Sequence, residues 1–317
     1  MSKGEDRRQK IFDKYVANRN LLIDNVLIKG EKNVYICPIC ETPFTEINGE
    51  IPLTLEDAPP KSLGGQANTL TCKICNNTLG YQIDFHLTER LKELDSASFL
   101  PNTTTKVKIK IGDDVLNGTI NIDENGKISM YHSDKNNHPI KLEKKMTGLE
   151  GGDVVNLNFL KTRVIPEKLE YALLKTAYIL AFQKFGNSLI FDPCFDIVRE
   201  QLKNPNQRIY PVNFWITPPY PTEMEGVYFV CDKGLESLFV LFNLDTGNSI
   251  RKFGVFLPCP VNDISVVIER LSKKFETEKT FTLNMYPWEQ DDNKYLENID
   301  NIKGILGWIE ARKKYER

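Results

Sequence analysis

Four cysteines in two C-x₂-C pairs, Cys37/Cys40 and Cys72/Cys75, have the types and spacing to hold one metal ion. Each pair supplies two thiolates from one tight turn. Two pairs close a tetrahedral Cys₄ shell around zinc that leaves no position for exchangeable water. The matched spacings set these residues apart from Cys194, Cys231 and Cys259, which stand beside Phe195, Val230 and Leu257 as buried apolar thiols do. A structural zinc would pin two turns together and present the chain between them as a fixed loop. That loop carries Glu56 and Asp57, then Pro59-Pro60-Lys61 and Gly64-Gly65, then Asn68. Lys61 follows two prolines where paired glycines let backbone approach closely, which makes it a candidate phosphate contact. Cys75-Asn76-Asn77 opens a helical run through Leu79, Ile83 and Leu87, placing Asn76 in the first turn beside the metal knuckle.

An acidic residue on the loop between the knuckles, with a polar residue directly after the last cysteine, resembles the HNH (His-Me finger, ββα-metal) endonucleases. Zinc-stapled members carry an Asp-His pair before a Pro/Gly loop and an Asn or His after the second C-x₂-C. The run Leu53-Thr54-Leu55-Glu56-Asp57-Ala58-Pro59-Pro60-Lys61-Ser62-Leu63-Gly64-Gly65 also looks like a bacterial HNH subgroup with a long C-terminal extension. The resemblance covers Val34 to Leu94. It implies an ion-binding acid at Glu56, the general-base position at Asp57, the family's central Asn at Asn68 and a second metal ligand at Asn76. The activity implied is metal-dependent hydrolysis of phosphodiester bonds in DNA or RNA, by analogy in bacterial defence or a mobile element.

This chain departs from the family at Asp57, where the family has His. An imidazole with a pKa near neutrality suits removal of a proton from attacking water. An aspartate titrates near about 3.9 and is a weaker base unless burial raises it. It can still orient water, or serve as an oxygen ligand to Mg²⁺ or Mn²⁺. Three readings therefore stand: a nuclease with a carboxylate as base or ligand, a degenerate zinc-stapled adaptor that binds nucleic acid or protein without cutting, and a plain zinc staple. His86 is expected to be a half-buried helix histidine with a satisfied hydrogen bond, because about 16 Å of helical rise separates it from Cys75.

The elements that must position these residues can also be read from the sequence. The chain has 317 residues, 41% hydrophobic and 26% charged, enough for two or three domains with cores of their own. No apolar run has the length of a membrane span, and the charged start, Met1 to Lys14, is unlike an export signal. With zinc-ligating thiols, this leads to an expected cytoplasmic location. Residues 31–95 hold five Lys/Arg against ten Asp/Glu. Phosphate contacts supply most non-specific affinity for nucleic acid, so the grip on DNA or RNA must come from the extension, from a protein partner or from a homo-oligomer.

The expected fold class is α+β. A leading helical segment, 1–30 (Asp6–Val16, Asn20–Leu27), precedes a Cys₄-zinc ββα-metal module over 31–95. A polar linker, Pro101 to Thr105, leads into an extension over 101–317. Its first part, 105–160, is a small antiparallel domain with strands Lys106–Ile111, Val115–Ile122, Lys127–Tyr131 and Val154–Phe159, a turn at Asp123–Gly126 and a loop at Gly148–Asp153. Lys106, Lys108 and Lys110 share its solvated face, and His132 and His138 flank a polar loop without ligand spacing. The second part, 166–317, has helices at Glu167–Phe185, Phe195–Leu202, Val261–Phe275 and Ile302–Tyr315. Its strands are expected near Ile209–Ile216, Val227–Cys231, Ser237–Leu244 and Lys252–Leu257. Tyr210, Trp215, Tyr220, Tyr228 and Phe229 are expected mostly in its core.

Overall fold

The structure, a computed structural model, describes residues 3–111, 114–132, 147–148, 155–160, 163–278, 281–287 and 292–315. The chain opens on α1 (Lys3–Asp24), one continuous helix where the sequence suggests two pieces. Phe12, Tyr15, Asn18 and Leu22 recur at three- and four-residue intervals on its buried face. Two short strands, β1 (Tyr35–Ile36) and β2 (Pro43–Phe44), enclose the first cysteine pair. The hairpin β3 (Leu53–Ala58) and β4 (Gln66–Cys72) follows, then α2 (Lys73–Leu79), a π turn at Gly80–Asp84 and α3 (Phe85–Ala97). A four-stranded antiparallel sheet comes next: β5 (Thr103–Ile111), β6 (Asp114–Ile122), β7 (Ile128–His132) and β8 (Val155–Phe159), in the order β7-β6-β5-β8. The helices α4 (Pro166–Phe185) and α5 (Asp196–Lys203) lead to β9 (Trp215–Ile216), β10 (Gly226–Val230), β11 (Ser237–Asp245) and β12 (Ile250–Leu257). The chain closes with α6 (Ile264–Thr277), β13 (Met285–Pro287), α7 (Asp292–Glu297) and α8 (Ile299–Tyr315).

Contacts group Met1–Leu87, Ile165–Asp245 and Ile250–Arg317 into one unit, and Thr88–Val164 with Thr246–Ser249 into a second. The sequence reading places a boundary at the polar stretch near Pro101; the contacts instead draw it inside α3. What looks like a linker is a tight turn, since Thr103 already begins β5 and its hydroxyl donates to the Leu100 carbonyl at 2.7 Å. In the first unit, α4 packs against β10, β11 and β12 of an antiparallel sheet ordered β13-β10-β11-β12-β9, and also against β3 and β4. A helix contacted on several sides must be apolar nearly all round, and α4 is, from Tyr171 to Phe185. The cysteine pairs and the C-terminal sheet therefore share one unit through α4. The leading helix belongs to it too: Tyr15 stacks on Phe182 at 4.7 Å, and Asn18 donates to the Leu296 carbonyl at 2.8 Å.

Within the second unit, Val107, Ile109, Leu116, Ile120 and Ile122 make a core with Leu157 against it. Lys106, Lys108 and Lys110 alternate with these residues and are exposed, as the period of a half-buried strand requires. The Asp123–Gly126 turn is closed by Gly126 N–H donating to the Asp123 carbonyl at 3.1 Å. The loop expected over Gly148–Asp153 falls mostly outside the described residues, and His138 lies wholly outside them. The expected strand near Ile209 shrinks to Trp215–Ile216, because the Ile209 and Tyr210 N–H groups donate instead to the Gln201 side chain at 2.8 and 2.9 Å. Tyr210, Tyr228 and Phe229 are buried, whereas Tyr220 is exposed and Trp215 half-buried. Among the described residues, no helix is long and apolar enough to cross a membrane.

Candidate functional site

The four sulfur atoms of Cys37, Cys40, Cys72 and Cys75 all lie within 4.8 Å of one another, the only such cluster of potential ligands among the described residues. Cys40 Sγ and Cys72 Sγ are 3.8 Å apart. Zn–S bonds of about 2.3 Å at tetrahedral angles demand sulfur separations of about 3.8 Å, so the donor set fits zinc. The Cys72 N–H donates to Cys37 Sγ and the Cys75 N–H to Cys72 Sγ, each at 3.4 Å, and backbone donors of this kind favour thiolates. Thiols this close share protons. Hydrogen bonds among them push Cys37 and Cys75 up and Cys40 and Cys72 down, Cys72 to about 7. A dication in place of those protons would stabilise all four thiolates at once.

Between the knuckles, the hairpin carries an irregularity where the chemistry is expected. Glu56 pairs with Thr69 but Asp57 pairs with Ala67, so Asn68 is the extra residue of a β-bulge. Bulges re-aim side chains locally and gather next to functional sites. Here the bulge leaves Asn68 exposed, where its Oδ1 accepts from Arg7 Nη2 at 3.3 Å. Asp57 is half-buried. Burial, then the neighbouring Glu56 charge, raises its pKa above the ordinary carboxylate value, while Lys61, Arg7 and Lys175 pull it down. Lys61 is exposed on the one-turn helix Lys61–Leu63 at the hairpin tip. Gly65 there cannot be replaced without moving backbone, because a Cβ would lie 1.5 Å from the Pro59 carbonyl oxygen.

Asn76 lies in α2, the helix that leads straight off β4. Its Nδ2 donates to Thr54 Oγ1 at 3.0 Å and to the Leu55 carbonyl at 2.8 Å. Both amide hydrogens are thereby used, which leaves Oδ1 to accept a donor or bind a cation. Asn76 is thus fastened to the strand that carries Asp57; Asp57 lies between the two cysteine pairs and Asn76 directly follows the last cysteine.

Glu56 is placed differently from the role its position suggests. It is 2% exposed, with Oε1 on Lys175 Nζ at 2.6 Å and Oε2 accepting from Thr71 Oγ1 at 2.7 Å. Lys175 also reaches Asp84 Oδ2 at 2.6 Å. Burial alone would depress the lysine, but the two carboxylates outweigh it and raise its pKa. Burial raises Asp84, whose Oδ1 has no hydrogen-bond partner. A divalent ion at Glu56 would have to displace a buried ammonium, so Glu56 is a structural anchor in this arrangement and Asp57 is the carboxylate left within reach of solvent. The sequence reading passes over Lys175, Asp84 and Arg7. A lysine inside the apolar run of α4 is the one signal that could have marked the first.

The same helix holds the first knuckle, since Tyr178 Oη donates to the Pro38 carbonyl at 2.7 Å. Buried Arg199 approaches that tyrosine at 3.3 Å and Glu41 Oε2 at 3.3 Å. His86 is 8% exposed and its Nδ1 accepts from the Ile165 N–H at 3.2 Å, a satisfied interior histidine as expected. Burial, then the charge of Lys168, lowers its pKa.

Comparison with family models, with curated proteins and with solved structures gives no match. The chain itself defines a mixed α+β protein with small antiparallel sheets and a Cys₄ cluster suited to zinc.

Proposed function

We propose that this chain is a divalent-metal-dependent nuclease in which a zinc-stapled β3–β4–α2 run sets Asp57 and Asn76 against a phosphodiester of DNA or RNA. The carrying observation is that run itself: Asp57 opposite a bulge, with Asn76 hydrogen-bonded two residues back on the same strand. Asp57, its pKa raised by burial, is the group that takes a proton from water or orients it. Asn76 Oδ1 and Asp57 are the oxygens offered to Mg²⁺ or Mn²⁺, which would supply charge stabilisation on the scissile phosphate. Arg7 and Lys61 add positive charge where a phosphate would lie. A protein partner or a second copy of the chain would add affinity in the same way.

The test is cleavage of plasmid and single-stranded RNA with Mg²⁺ or Mn²⁺ by wild type, Asp57→Ala and Asn76→Ala, each with its zinc content measured. Cleavage lost in both variants at unchanged zinc content supports the assignment, and cleavage equal to wild type in both removes this site. The sequestration of Glu56 by Lys175 favours one other reading, the zinc-stapled adaptor that binds without cutting. No cleavage under any condition, with retention of a labelled strand, would establish that alternative.

A further inference from the structure

In the first unit, a cleft of about 530 Å³ opens beside the hairpin, bounded by the Ala58–Asn68 loop, α4 and strands β10 and β11. It lies within the size range of small-ligand sites. Its lining mixes apolar residues, Leu63, Leu180, Val227 and Val240 among them, with the charged Lys184, Glu225 and Asp245. Into this lining comes Gln183, which is 8% exposed. Its Nε2 is buried with no hydrogen-bond partner. An amide withdrawn from water without a partner is costly, and the cost is recovered if a ligand supplies the missing bond. A second lining residue repeats the pattern: Asn243 gives Nδ2 to the Thr222 carbonyl at 2.7 Å, but its Oδ1 has no donor. The cleft therefore sets two under-used neutral amides among apolar and charged residues.

We propose that this cleft is a nucleobase subsite, in which the Gln183 amide reads the hydrogen-bonding edge of a base held against its apolar residues. A base offers a flat apolar body, with donors and acceptors confined to its edge, and Gln and Asn amides match such edges. Sites that accept an unstacked base combine these elements. The neutral amides, with two acids against one lysine in the lining, argue for a base edge over a phosphate as the group read here. The position argues for a base that belongs to the strand being cut: Ala58, Pro59 and Asn68 line the cleft, and Asp57 directly precedes the first of them. This inference rests on the nucleic-acid reading above and deepens it, since it assigns recognition of one nucleotide to residues outside the zinc-stapled run.

The experiment is titration calorimetry of the full chain without divalent metal, so that binding is read apart from cleavage. The probes are the four nucleoside 5′-monophosphates, ribose 5-phosphate and a short mixed-sequence single strand. Saturable binding of at least one mononucleotide and of the strand, with none of ribose 5-phosphate, is expected. Gln183→Leu should weaken that binding by about tenfold or more, as the loss of a specific hydrogen bond implies, without lowering Tm, because it removes a buried unpaired amide. Gln183→Met, of similar volume, is the second variant should the first fail to fold. Equal binding of ribose 5-phosphate, no saturable binding of any nucleotide, or wild-type affinity in the folded Gln183 variant would overturn the subsite. Binding as expected from a chain that cuts nothing keeps the subsite and removes the nuclease. Cutting without nucleotide binding does the reverse, and mononucleotide binding without strand binding shifts the source of the base to a free nucleotide.

Discussion

At the scale of single residues, the division of labour between Glu56 and Asp57 turns on Lys175. Adjacent strand residues face opposite ways, and Lys175 claims the inward one at 2.6 Å. Sequence could locate the acidic pair but could not say which member was free, because the deciding lysine lies more than a hundred residues away in an apolar helix. Lys175 answers the buried Glu56 and half-buried Asp84 carboxylates, so its removal leaves uncompensated charge. Lys175→Met should destabilise the first unit by about 3–5 kcal/mol, read by denaturant unfolding, and a loss below about 1 kcal/mol would mean that the carboxylates find other partners. The double variant Lys175→Met/Glu56→Gln should recover part of that loss. At Asp57 the signs give a pH prediction. Lys61 lowers the Asp57 pKa and burial raises it. A base must be ionised to act, so activity should climb as pH rises through that pKa. Lys61→Met removes the lowering charge, and the acidic limb of the pH–rate profile should move to higher pH. A limb that stays in place would dissociate Asp57 from the step that limits the rate.

At the scale of elements, those with clear local signals were legible: β5 from strict alternation, α4 from its proline start and glycine stop. What stayed hidden was set by side chains acting across the fold. Gln201 diverts Ile209 and Tyr210 from a strand, and the whole-face burial of α4 has no period to detect. The zinc knuckle shows the same dependence. Spacing alone picked out the four cysteines that the structure brings together, but the Tyr178 bond to the Pro38 carbonyl makes the knuckle part of the packing of α4. Metal analysis should therefore find about one zinc per chain, and Cys37→Ser should abolish it. Because α4 also packs on the five-stranded sheet, the melting transition of the whole first unit should drop, not that of the residues around the cysteines alone. A Cys37→Ser protein that melts as wild type does, or wild-type protein folded without zinc, would contradict this.

At the scale of the whole molecule, the sequence suggests a linear series: helix, zinc module, β domain, C-terminal domain. The contacts instead describe one discontinuous unit with a second inserted into it. Composition could not reveal this, because the main boundaries fall at ordinary residues, Leu87/Thr88 and Val164/Ile165, and Thr246–Ser249 joins the second unit from far along the chain. The structural sign is local. His86 Nδ1 accepts the Ile165 N–H at 3.2 Å, so the two ends of the interruption meet. Chain ends that lie together tolerate insertion and excision of what they bracket. Replacing Thr88–Val164 by a short Gly-Ser linker should thus leave a protein that folds cooperatively and binds zinc. By contrast, the fragment 1–100 should fail to fold, because it lacks Lys175 and Tyr178 and strips Tyr15 of Phe182 and Asn18 of the Leu296 carbonyl. The same contact adds a pH signature to the excised protein. Burial lowers the His86 pKa in the folded state, so its contribution is present above the ordinary histidine value and is lost as pH falls through the folded one. His86→Gln should flatten that part of the stability profile. If the excised chain is unfolded while the fragment 1–100 folds and holds zinc, the linear series is right and the insertion is not.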